Sequence, residues 1–148
     1  MKIIATNKKA RYEYELLETF EAGIVLQGPE IKSARDSKVS LQESYAGLDG
    51  EEVFLYNMFI APYEPANRFN PEPTRKRKLL LRKSEIRRLA GKMSGSALTI
   101  VPTKAYLKNG RAKVEIALAR GKKKYDKREA IKKREQDREA RRSVSAKI

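Results

Sequence analysis

The pattern of apolar residues predicts a mainly β chain: a small closed barrel of the oligonucleotide-binding (OB) type, with one short and one longer helix and a basic C-terminal tail. Three observations carry that expectation. About six stretches rich in β-branched and aromatic residues are separated by turn signals. Two of those signals, Asp49-Gly50 and Asn109-Gly110, are dipeptides that favour tight hairpins. Beyond Gly121 the apolar residues thin out and cations take over. The chain therefore divides into a barrel, residues 1–121, and a tail, residues 122–148.

Tyr12 to Gln27 reads as one long strand, bent at Gly23. Pro29 at a first helical position, with Glu30 after it, starts a short helix running to Arg35. Val39 to Leu48 and Glu52 to Ile60 form the arms of a hairpin around Asp49-Gly50. Four prolines and two asparagines make Pro62 to Pro73 an irregular loop. Leu79 to Leu81 is a buried strand. Ser84 caps a helix whose Ile86, Leu89, Ala90 and Met93 share one face. Leu98–Val101 and Ala105–Leu107 lead into Asn109-Gly110, and Lys113 to Leu118 is the return strand.

The tail holds seven lysines and five arginines against two aspartates and three glutamates. Its apolar residues are too few for a core face, so it is expected to be disordered when free and helical on a partner.

The charge balance narrows the function. With 34 Lys+Arg against 19 Asp+Glu, the net charge of +15 attracts polyanions, of which nucleic acid is the commonest. An anionic membrane is the rival. Ile131 in the tail has no large apolar companion at helical spacing, and no apolar run approaches spanning length, so no membrane role is expected. The absence of cysteine and histidine excludes disulfides, Cys/His zinc sites and His-dependent triads. The amino terminus turns polar too soon for a signal peptide, which points to the cytoplasm.

Two basic tracts are the candidate phosphate contacts. Arg75-Lys76-Arg77-Lys78 continues into Arg82-Lys83 and Arg87-Arg88; Lys122-Lys123-Lys124 opens the tail. Each also reads as a solvated surface. Tyr125 inside the second tract adds a ring able to stack on a base. Glu30-x-Lys32 is half of a metal-nuclease pattern, but no aspartate precedes it. Neither an enzyme nor a cofactor is therefore expected.

Five blocks in order resemble the signature of the SmpB family. They are Asn7-Lys8-Lys9-Ala10, Phe20 to Gly23, Gly28 to Arg35, Arg77 to Leu81 and Gly121 to Arg128. The resemblance implies an OB-type barrel that grips the tRNA-like domain of tmRNA, as a monomer, for ribosome rescue by trans-translation. RNA contact or its support would fall to Asn7, Lys8, Glu21, Leu80, Lys113, Arg120, Lys122 and Lys123. Tyr125, Asp126, Lys127 and Arg128 would act in the decoding centre of the ribosomal small subunit, with the tail sensing the empty mRNA channel. Tyr125 stands where several relatives carry histidine, keeping stacking but not a titratable ring. The alternative is a general RNA-binding or ribosome-associated protein without tmRNA.

Overall fold

A computed structural model describes residues 1–122. Six antiparallel strands close into a ring. They are β2 (Tyr14–Ile24), β4 (Tyr45–Asp49), β5 (Glu52–Tyr56), β7 (Arg77–Leu80), β8 (Leu98–Lys108) and β9 (Arg111–Gly121). Around the barrel they run β8-β4-β5-β7-β2-β9 and back to β8. β1 (Lys2–Thr6) joins the end of β8, and β3 (Val39–Ser40) pairs with β6 (Phe59–Ile60) as a separate ribbon. The mainly β barrel expected from the sequence is present; its pattern did not announce β1 or a helix at Lys8–Glu13, and it did not separate β3 and β6 from the hairpin arms.

The interior is aliphatic. Ile24, Val53, Leu55, Leu79, Ile100, Val114, Ile116 and Leu118 fill it with a single ring, Phe20. α3 (Lys83–Met93) closes the end where β2 and β8 begin, burying Leu89 completely. α2 (Gly28–Arg35) follows directly from the other end of β2 and buries Ala34 against the same core.

Several local expectations need correction. Tyr12 lies in a helix, α1 (Lys8–Glu13), so the strand starts at Tyr14. Asn7 explains this, because its Oδ1 accepts from the Ala10 amide at 3.2 Å as an N-cap. The strand runs through Gly23, and its irregularity falls between Leu16 and Glu18. Ser84 is not the cap of α3. That helix begins at Lys83, and the Glu85 carboxylate accepts from the Arg82 amide at 3.0 Å. The first hairpin keeps only its inner arms, β4 and β5. Leu41 and Met58 turn into the core where its outer arms were expected, with Glu43 and Asn57 at positive φ. Its loop is Gly50-Glu51, with Gly50 at φ 63, the first position of a two-residue turn. The irregular 62–73 loop contains a 3-10 turn, Glu64–Phe69.

Two bulges decide which residues face inward. In β8 the register shifts between Pro102 and Lys104, leaving Thr103 as the extra residue. Before the shift Ile100 is in the core while Val101 packs with Ala10 and Ala119 beneath α1; after it Ala105 is in the core. Pro102, which lacks an amide donor, sits at this bulge, and β8 runs on as one strand where two were expected. The shift in β2 does the same for Leu16, which packs under α1, and Phe20, which points inside.

α2 is fastened by charge. Glu30, 3% exposed, takes Arg77 Nε at 2.7 Å and Arg75 Nε at 3.2 Å, and accepts from the Gln27 amide at 2.9 Å. Arg77 also donates to the carbonyls of Pro73, at 2.9 Å, and Met58. Burial pushes the Glu30 carboxyl up, but Arg75, the Gln27 amide and Arg77 outweigh it, and it titrates below its ordinary value. Glu30→Ala leaves the Arg77 charge buried and unpaired, and should cost about 3–5 kcal/mol in urea unfolding at pH 7. Because the folded value lies below the unfolded one (about 4.3), this contribution is present above that pH and lost as pH falls through the folded value. Glu30→Gln should therefore show a flatter loss of stability in acid than the parent; an equally steep loss would refute the assignment.

Candidate RNA interface

Strand alternation breaks the first basic tract in two. Arg77 is 0% exposed and Arg75 is turned onto Glu30, so neither guanidinium is presented to a phosphate. Lys76 and Lys78 point out, 3.5 Å from Asp49 and 3.3 Å from Glu52. Such exposed pairs are worth at most about 1 kcal/mol and open readily for a polyanion. The same geometry answers the nuclease pattern, since both Glu30 oxygens are committed to arginines.

Asn7 is turned inward. It is buried, and its amide nitrogen donates to Pro102 O at 2.9 Å and Leu41 O at 3.3 Å. It thereby sets the start of α1 and presents Lys8, which lines a shallow cavity with Arg11 and Lys104.

Glu21, Leu80 and Lys113, far apart in sequence, meet on one side of the barrel. Gly23 of β2 pairs with Leu80 on one neighbour and Lys113 on the other. A Cβ at Gly23 would lie 3.2 Å from the Leu80 Cβ, so glycine permits this approach. Leu80 is 52% exposed and forms a wall of a groove of about 340 Å³ that also holds Val25, Leu26, Arg111 and Lys113. Glu21 accepts a hydrogen bond from the Tyr106 hydroxyl and lies 3.5 Å from Lys108 Nζ. The Tyr106 hydroxyl holds the Glu21 carboxyl below its usual range, with help from Lys108 and Lys113, while burial and Glu21 push Tyr106 well above its own. Glu21 is thus a fixed acceptor beside two cations, suited to a ribose hydroxyl or base amino group.

Arg120 is exposed at the far end of β9, opposite Glu15 and Leu98, and Lys122 Nζ lies 6.0 Å from the Tyr12 ring centroid. Lys123, Tyr125, Asp126, Lys127 and Arg128 lie outside the described residues. Sequence reasoning missed Tyr106 and Lys108. Their only signal was position in β8, and the Thr103 bulge obscured which face they occupy. It also missed the clasp of Glu18 with Arg88 and Lys92 of α3, each at 2.7 Å.

Tyr106→Phe removes the donor, so the Glu21 carboxyl should titrate higher, toward its ordinary value. Carboxyl NMR of both proteins reads this, and an unmoved titration would mean that the hydroxyl does not hold Glu21.

Comparison with known proteins agrees with this architecture. The family model described as SmpB protein matches residues 4–146. The SsrA-binding protein of Persephonella marina is 55% identical over 148 residues, covering 100% of this chain and 97% of that protein. That of Listeria welshimeri is 56% identical over 142 residues, covering 96% and 92%. A solved chain described as "tmRNA-SmpB: a journey to the center of the bacterial ribosome" superposes with a TM-score of 0.68 at 52% identity, covering 80% of this chain and 84% of its own. With a ring-closed barrel, a carboxylate held between lysines and a match along nearly its whole length, the chain belongs to the SmpB family.

Proposed function

We propose that the chain binds the tRNA-like domain of a transfer-messenger RNA and delivers it to stalled ribosomes for trans-translation. The observation that carries this reading is kinship along the full chain with proteins named SsrA-binding protein. The barrel supplies what such a role needs: a shaped groove, a fixed acceptor at Glu21, and lysines on several faces. Asn7, with its contacts inward, supports the surface, and Lys8, Leu80, Lys113, Arg120, Lys122 and Lys123 meet the RNA. Recognition of a folded RNA by shape needs no chemistry from the protein. The barrel, residues 1–121, holds the RNA as a monomer in the cytoplasm. Residues 122–148 reach the mRNA channel, with Tyr125, Asp126, Lys127 and Arg128 at the decoding centre. Binding a range of RNAs without preference for the tRNA-like one would instead favour a general RNA-binding role.

If about 6–10 phosphates are neutralised, affinity for the tRNA-like domain should fall roughly 10³–10⁵-fold between 50 and 200 mM salt. A flat titration would remove the electrostatic basis of the proposal. Deleting residues from Lys124 onward should preserve binding, with some loss of long-range attraction, and abolish peptide tagging in a reconstituted stalled ribosome. Tagging at full rate would show that the tail is not the ribosome-sensing element.

A further inference from the structure

Several aromatic rings stand on the outside of the barrel. Among the described residues Phe20 is the one aromatic of the ring's core cluster and Tyr106 is buried beside Glu21, while Tyr45, Phe54 and Tyr56 lie on the outer face of β4 and β5. Tyr45 and Tyr56 are stacked, with centroids 5.2 Å apart and planes 20° from parallel. Gly47, the next outward residue of β4, lies beside the Tyr56 ring, which a Cβ there would meet at 3.4 Å, an ordinary contact. Lys76 Nζ sits 4.0 Å from the Phe54 centroid. Tyr45 remains 46% exposed, so Tyr56 covers only part of its ring.

A cavity of about 370 Å³ adjoins Tyr45, with Tyr14 on another wall and Lys9, Glu13, Glu43 and Asn57 among its polar groups. Lys9 is paired with Glu43 and reaches Glu13 at 4.0 Å, so the cavity carries both a cation and carboxylate acceptors. Glu43 and Asn57 both hold positive φ, a backbone conformation that costs free energy and that here shapes the rim. Asn7 lines this cavity as well as the one flanked by Lys8, so the aromatic face continues into the start of α1.

A purely structural role for these rings, as a cross-strand pair, accounts for the stack. It does not account for an exposed ring over a cavity with acceptors and a cation. We propose that this face, centred on Tyr45, is a stacking site for an unpaired RNA base bearing an exocyclic amino group. The base lies against Tyr45, its amino group meets acceptors at Glu13, Glu43 or Asn57, and Lys9 and Lys76 meet the flanking phosphates. Tyr45 is on β4, which β8 separates from β9, so this site is distinct from the groove at Lys113. It rests on the RNA-binding reading above and adds a second, base-stacking contact to it.

The test uses the full chain and a single-stranded RNA octamer carrying one 2-aminopurine, whose fluorescence is quenched on stacking. The parent should quench it. Tyr45→Ala should bind about 5- to 150-fold more weakly, the usual worth of one base–aromatic stack, and lose most of the quench. Tyr45→Phe, which keeps the ring, should behave as the parent does. Tyr45→Ala matching the parent, or Tyr45→Phe failing as badly as Tyr45→Ala, would overturn the site. Retention of the tRNA-like domain is measured on the same proteins. Quenching through Tyr45 without that retention would sink the proposed function and leave the stacking site standing, whereas retention without Tyr45-dependent quenching would do the reverse.

Discussion

The buried carboxylate of Glu30 is the constraint on which this end of the barrel depends. A charge withdrawn from water is tolerated only when its partners are close and its remaining lone pairs are used. Here two arginines and a backbone amide meet that condition together. Glu30 belongs to α2, Arg77 to β7 and Arg75 to the loop before it, so one ion cluster ties α2 to a stretch more than forty residues further along the chain. Once Arg77 points inward, strand geometry sends Lys76 and Lys78 outward. The anchoring of the helix and the exposure of the lysines are therefore one event.

The two bulges act in a similar way on the opposite side. Each lets a single strand serve two cores, one inside the barrel and one beneath α1. The Thr103 carbonyl, freed at the β8 bulge, accepts from the Asn7 amide at 2.8 Å, which starts α1 where it can cover Val101 and Ala119. A helix of six residues has little stability of its own. It persists because its cap is wedged against β8 and its buried face, Ala10, is small enough to lie close to the sheet.

An aliphatic interior bears on recognition as well as on packing. Small barrels are filled by side chains, and this one is filled mainly by aliphatic ones, which leaves Tyr45, Phe54 and Tyr56 on the outer face where bases can reach them. The lysines around them are held loosely by Asp49, Glu52 and Glu43 rather than buried. Partners of this kind keep the cations oriented in the free protein, yet yield to phosphate at little cost. Glu21 differs, because the Tyr106 hydroxyl fixes it in place, and a fixed acceptor contributes shape and specificity rather than bulk attraction.

Much of this was legible in the residues themselves. Alternating β-branched positions and the Asn109-Gly110 turn announced a β barrel, since both act through local backbone preference. Pro29 and Glu30 announced α2 in the same way, and five ordered blocks carried the family resemblance. Net charge alone pointed to a polyanion. What remained hidden depends on contacts across the fold. Four consecutive cations look equivalent until a strand with period two and a distant carboxylate divide them into two inside and two outside. A bulge inserts one residue and reverses every face after it, which no count of alternation reveals beforehand. In the sequence Asn7 is read as RNA contact or its support alike, and only the fold brings the Leu41 and Pro102 carbonyls to its side chain. Local propensity and total charge are properties of the chain; which side of a strand meets water is decided only when the barrel closes.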